Sequence, residues 1–154
     1  MDISIVIPTW NNCRRLAQTY RNWKVIAWDN GSTDGSLEVL HEWIPSRLPG
    51  VVVDSHPLGL GDSLAEMVKM ADTELCARMD GDDVCLPERL ECQVDFLVKH
   101  PEVAACGSAV RRVDESGSVL SEGPFGFHDH HDILNGMLVA TQLAHPTVVF
   151  RRDA

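Results

Sequence analysis

The chain has 154 residues, 44% of them hydrophobic and 23% charged, proportions that fit one folded domain with a buried core and exclude wholesale disorder. Thirteen basic against 23 acidic residues leave a formal charge of −10, which excludes a surface holding nucleic-acid phosphates or anionic lipid by bulk charge; no nucleic-acid partner is expected. The five cysteines, at 13, 76, 85, 92 and 106, show no C-x-x-C spacing, so neither a disulfide framework nor a cysteine zinc site is expected, and a reducing, cytoplasmic setting fits.

Ile3-Ser4-Ile5-Val6-Ile7, stopped by Pro8, predicts a central strand. A strand this close to the start leaves no room for a signal peptide, and the longest apolar runs are too short to span a membrane. Residues 24–28 predict a second strand, which runs into the turn-forming Asp29-Asn30-Gly31-Ser32. A helix with Leu37, Leu40 and Ile44 on one face follows, closed by Pro45, and Val51-Val52-Val53 predicts a third strand. Ser63-Leu64-Ala65-Glu66 reads as a capping box opening a helix whose stripe is Leu64, Met67, Val68 and Ala71. Residues 75–79 predict a fourth strand with Asp80-Gly81-Asp82-Asp83 at its carboxyl end. Pro87 then starts a helix that buries Leu90, Val94 and Leu97 and stops near His100-Pro101. Strand, loop and helix repeat, which is the pattern of an α/β fold with a mostly parallel sheet. Further on, 103–107 and 108–113 read as strands, with a turn at Glu115-Ser116-Gly117 before Val119-Leu120. A short helix is expected at 132–138 and a last strand at 147–151. Nothing in the sequence divides the chain, so residues 1–154 are expected to form a single domain.

Ligands of parallel α/β sheets sit outside the carboxyl ends of the strands. Three polar clusters fall there: 8–12, 29–34 and 80–83. Two carboxylates one residue apart, as in Asp80-Gly81-Asp82, can face a hard divalent ion that bridges nucleotide phosphates, and Gly81 keeps the backbone open for close approach. An aspartate-rich turn that merely caps a helix is the plainer reading of the same residues. With no obvious Lys or Arg clamp for phosphate, an acidic chain would need such a metal. His128, His130 and His131, flanked by Asp129 and Asp132, allow a metal reading but fit a solvated loop better. Cys85 and Cys92 have no electropositive setting to activate a thiol. Trp23, Trp28 and Trp43 read as core.

In order along the chain, Ile3-Ser4-Ile5-Val6-Ile7-Pro8-Thr9-Trp10-Asn11-Asn12, residues 18–36 with Asp29-Asn30-Gly31-Ser32-Thr33-Asp34-Gly35-Ser36, Ala77-Arg78-Met79-Asp80-Gly81-Asp82-Asp83 with the helix after Pro87, and His145-Pro146-Thr147-Val148-Val149-Phe150-Arg151-Arg152 together resemble the family 2 glycosyltransferases of bacterial polysaccharide synthesis. That resemblance implies the GT-A fold, a Rossmann-like, mostly parallel sheet flanked by helices, here with an incomplete C-terminal part. It also implies a hexosyltransferase-type enzyme that moves a sugar, with inversion, from a nucleotide sugar to a glycan or lipid-linked acceptor. UDP- or dTDP-sugars are the expected donors, and Mn2+ or Mg2+ the expected cofactor. By the same resemblance Trp10 lines or stacks on the nucleobase, with a core aromatic as its plainer alternative, and Pro8, Thr9 and Asn11 shape the pocket. Asp29 and Asn30 contact base and ribose. Asp80, Gly81 and Asp82 form the D-x-D segment, with Asp80 and Asp82 as metal ligands and Asp83 supporting them or capping the next helix. Location at the inner membrane face would be peripheral.

The chain departs from the family pattern in four respects. Asn30 stands where many members carry Asp. Only residues 12–17 separate the segments that a full helix usually joins. Residues 59–65 lack the Arg or Asn that relatives often place near the donor phosphates. The Glu-Asp motif that supplies the usual base is absent from the 154 residues, so the catalytic residue is expected beyond Ala154. A nucleotide-sugar-binding module without turnover is therefore the alternative to a complete enzyme. A nucleotidyltransferase is a weaker third reading, because no glycine-rich N-terminal loop with a basic residue is present. Self-association through an uncovered part of the sheet is also expected.

Overall fold

The computed structural model describes residues 1–8, 18–123 and 129–154. Thr9, Trp10, Asn11, Cys13, His128 and the short 12–17 segment lie outside the described residues. A six-stranded sheet runs in the order β3-β2-β1-β4-β8-β5. Its strands are β1 (Ile3–Pro8), β2 (Trp23–Asp29), β3 (Gly50–Asp54), β4 (Leu75–Arg78), β5 (Ala105–Cys106) and β8 (Val149–Arg151). β3, β2, β1 and β4 are parallel, while β8 pairs antiparallel with both β4 and β5. β6 (Val110–Val113) and β7 (Val119–Gly123) form a separate hairpin.

Alternation along the central strands builds the two cores. Ile3, Ile5 and Ile7 with Val25, Ala27, Leu75 and Ala77 face one side. There they meet Leu40 and Ile44, from α1 (Ser36–Trp43) and the residue after it, and Leu90, Val94 and Leu97 of α3 (Arg89–Lys99). Val6, Ile26, Trp28 and Cys76 face the other side and pack on Met67 of α2 (Leu60–Met70) and on Ala71 beyond it. Strand residues therefore alternate between two buried faces, which is why the strands read as unbroken apolar runs. α4 (His130–Met137) lies late in the chain and has no fully buried residue.

Several boundaries differ from expectation. α2 starts at Leu60, with Gly59 at its N-cap. Ser63 is not a cap: it is buried inside the helix, and its hydroxyl donates back to the Gly59 carbonyl at 3.2 Å. A Ser can bond backward within a helix as readily as it can cap one, so the capping pattern misplaced the start by a turn. α3 starts at Arg89, two residues after Pro87. The 147–151 strand divides into a 3-10 turn, His145–Thr147, and the three-residue β8. Only Ala105–Cys106 of 103–107 joins the sheet. Of the tryptophans, Trp28 is buried and Trp23 packs at the edge of the larger core. Trp43 is half-buried, with the Arg47 guanidinium 4.2 Å over its ring.

Candidate nucleotide-sugar site

The chain runs β1, β2, β3 toward one edge and then crosses back, so that β4 lies on the other side of β1. This reversal makes β1 and β4 the topological switch point of the sheet, beyond whose carboxyl ends ligands of such sheets usually sit. Val6 pairs with Arg78 and Pro8 with Trp28. Continuing these registers brings Asp80 level with Pro8, and Asp29 one residue beyond it on the other flank. The two acidic turns thus stand two strand spacings apart, roughly 10 Å, on either side of the end of β1.

Asp29 has no exposed surface. Its Oδ2 accepts from the backbone N–H groups of Gly31 at 3.1 Å and Ser32 at 2.9 Å. Those bonds fold the loop, which Gly31 enters at φ +86°. Its Oδ1 is buried with no hydrogen-bond partner among the described residues. A buried carboxylate oxygen left unpaired is costly, and a ligand N–H would satisfy it. Asn30 is already engaged: its side-chain nitrogen donates to the Leu58 carbonyl and its side-chain oxygen accepts from the Leu58 N–H, each at 2.8 Å.

At the other flank, Asp80 is partly exposed and accepts from an Arg78 Nη at 2.6 Å. Arg78 is only 4% exposed, and its Nε and other Nη have no partner among the described residues. Arg89 reaches back to donate to the Arg78 carbonyl at 2.9 Å and to Gln93 at 3.0 Å, which ties α3 to the end of β4. Gly81 is half-buried, and Asp82 and Asp83 are exposed. Although Asp83 is exposed as a residue, partial desolvation of its carboxyl by neighbouring groups, then the charges of Asp80 and Asp82, push it above the ordinary aspartate range, against the pull of Arg78 and Arg89. Carboxylates are hard oxygen donors, the kind that a Mg2+ or Mn2+ ion takes, but among the described residues no group of three His, Cys, Asp or Glu side chains is placed so as to hold a metal ion.

Arg78 is the site residue that sequence reasoning missed. Its signal was there: two residues before Asp80 on an extended chain, it shares that residue's face. His145, at the surface, also comes to this end. Partial burial and then Arg78 hold its imidazole below the usual histidine range, with Asp80 opposing. His130 and His131 lie exposed in the first turn of α4, where Asp129 caps the helix by accepting from the Asp132 N–H at 2.9 Å. Cys76, Cys85, Cys92 and Cys106 are free thiols, and burial pushes Cys76 up to about 11. No helix among the described residues is long and apolar enough to cross a membrane.

A twisted, mostly parallel sheet with acidic turns at its switch point is the architecture of GT-A glycosyltransferases. Solved structures of that class match it. The mannosyltransferase PcManGT from Pyrobaculum calidifontis, in complex with GDP-Man and Mn2+, superposes with a TM-score of 0.69 over 98% of this chain and 44% of its own, at 21% identity. TarS from S. aureus, in complex with UDP-GlcNAc, gives 0.68 over 99% of this chain and 46% of its own, at 20% identity. Residues 4–138 match Glycosyl transferase family 2, and the chain belongs to that family. The amylovoran biosynthesis glycosyltransferase AmsE of Erwinia amylovora is 35% identical over 131 residues, 84% of this chain. The chain spans 48% of that relative's length.

Proposed function

We propose that these residues form the donor-binding half of a glycosyltransferase of bacterial polysaccharide synthesis, holding a nucleotide sugar for inverting, metal-assisted transfer. The buried Oδ1 of Asp29 at the switch point, which has no partner among the described residues, carries this reading, because a base N–H is a donor that would satisfy it. Asp29 and the Pro8-Thr9-Trp10-Asn11 segment would hold the nucleoside. The 80–83 turn, with Gly81 allowing close approach, would face the diphosphate.

Asp80 and Asp82 are the residues proposed to hold Mn2+ or Mg2+, which when bound would stabilise negative charge on a departing diphosphate. The chain's own part is to orient. Arg78 fixes one Asp80 carboxylate oxygen, and Arg89 fixes the end of β4 beneath the turn. The GDP-Man and UDP-GlcNAc bound by the two solved relatives support a nucleotide-sugar donor; UDP- and dTDP-sugars are the proposed donors, and a glycan or lipid-linked acceptor the proposed partner. Because the chain spans about half of its relative, donor binding is assigned to it ahead of full turnover. A cytoplasmic position, peripheral to the inner membrane face, follows from the same reading.

Thermal unfolding against UDP, GDP, CDP and dTDP, each with Mn2+ and with chelator, tests this proposal. A ligand at about 100 times its dissociation constant adds roughly 2.7 kcal/mol, a rise of about 3–6 °C at this size. One nucleotide is expected to give that rise, to lose it with chelator, and to lose it in Asp82→Ala. No rise with any of the four overturns the donor-site reading. A rise that persists with chelator and in Asp82→Ala overturns the metal role alone.

A further inference from the structure

We infer that Asn30 is a positioning residue, which fastens the 55–59 connection and the start of α2 to the Asp29 loop and does not itself read the nucleotide. The inference deepens the donor-site reading and rests on it. The side-chain amide of Asn30 pairs with the backbone of Leu58, donating to its C=O and accepting from its N–H, both at 2.8 Å and both partly buried. One donor and one acceptor of the amide are thereby used, and each meets its complement. The geometry selects the amide. An aspartate could accept from the Leu58 N–H, but its second oxygen would then face the Leu58 carbonyl, acceptor against acceptor.

The clamp has company. The Ser55 N–H donates to the Asp29 carbonyl at 3.1 Å. A Cβ on Gly31 would sit 3.1 Å from the Pro57 ring, so the two loops already touch there. The clamped residue is followed directly by Gly59, the N-cap of α2, which no side chain caps. Asn30 therefore adds a pair of side-chain hydrogen bonds to the backbone bond and the glycine contact that also link these two strand-end loops. It lies beside Asp29, whose buried Oδ1 has no partner among the described residues. A loop held in this way presents Asp29 and Ser32 in one arrangement, and loss of the clamp would make binding bear the cost of ordering it.

Amide hydrogen exchange and nucleotide titration on the wild type, Asn30→Ala and Asn30→Asp test the inference. The expected result is faster exchange at Leu58 and across the first turn of α2 in both variants. Affinity for every nucleotide that binds the wild type should fall by the same factor, on the order of tenfold for the loss of two hydrogen bonds. Weaker binding with Leu58 exchange unchanged, or a loss that differs between nucleobases, would mean that Asn30 touches the nucleotide and would overturn the inference. Faster exchange with unaltered affinity would overturn it as well, leaving the clamp without a part in binding. If the wild type binds none of the nucleotides, the donor-site reading fails and takes the inference with it. If the wild type binds and the variants match it in both measurements, the inference alone fails.

Discussion

Asp34 accepts hydrogen bonds from both the hydroxyl and the N–H of Ser36 at the entrance to α1. The hydroxyl bond, and then the backbone bonds, hold its carboxyl below the ordinary aspartate range. A carboxylate whose pKa is depressed by folding stabilises the fold above its unfolded pKa, and that help fades as pH falls through the folded value. Asp34→Ala should therefore lower the unfolding midpoint at neutral pH, with the gap to wild type shrinking as the solution is acidified from about pH 7 toward pH 3; melts of both proteins across that range check it. The two arginines that close the 145–152 segment also have local tasks. Arg151 donates to the carbonyls of Leu97 at 2.7 Å and Val103 at 3.0 Å, gathering the end of α3. Arg152 donates to the Ala71 carbonyl at 2.8 Å, beyond the end of α2. Both serve helix termini whose last carbonyls lack partners within the helix.

At the scale of elements, glycines on the edge strand and on α2 have opposite consequences. Gly50 opens β3 at φ +156°, and an added Cβ would collide with the Val25 carbonyl across the strand pair. Gly50→Ala should cost about 2–4 kcal/mol, or prevent folding, by combining strain with a backbone clash. Gly61 lies in the first turn of α2, with nothing within 4 Å of an added Cβ. Gly61→Ala should instead stabilise by about 0.4–1 kcal/mol, because the unfolded chain loses freedom. Urea unfolding of the two variants reads both signs in one experiment. The start of α2 illustrates how elements override local signals: Ser63 and Glu66 make a plausible capping box, yet the helix begins a turn earlier, where Asn30 holds Leu58 in place.

Across the whole molecule, apolar surface is unevenly covered. Leu138 and Val139 are 88% and 91% exposed, and Leu134 and Met137 of the adjoining α4 are also exposed. Exposed apolar side chains gathered in one short segment in this way promote association. Sedimentation velocity should show concentration-dependent self-association, and a Leu138→Lys, Val139→Lys double variant should remove it. The unfolding midpoint of that variant should stay within about a degree of wild type, because neither side chain packs into the core.

Much of this architecture was legible in the residues. Two buried faces require unbroken apolar strands, so β1 to β4 and the stripes Leu64-Met67-Val68-Ala71 and Leu90-Val94-Leu97 stood out by period alone. The acidic turns at 29–30 and 80–83 were found because strand ends carry function in parallel sheets. Short-range pattern could not reach what depends on long-range pairing. Arg78 looked like an ordinary strand residue until burial beside Asp80 made it the counter-charge of the turn. Asn30 reads from the sequence as a ligand contact, while in the structure Leu58, 28 residues later in the chain, engages one donor and one acceptor of its amide. The sequence by itself determined the strands, the helical stripes and the positions of the acidic turns, because periodicity and turn chemistry are local. Which buried polar atoms find partners, as the amide of Asn30 does, and which have none among the described residues, as with the Oδ1 of Asp29, was settled by tertiary packing, because those partners lie far apart in the chain.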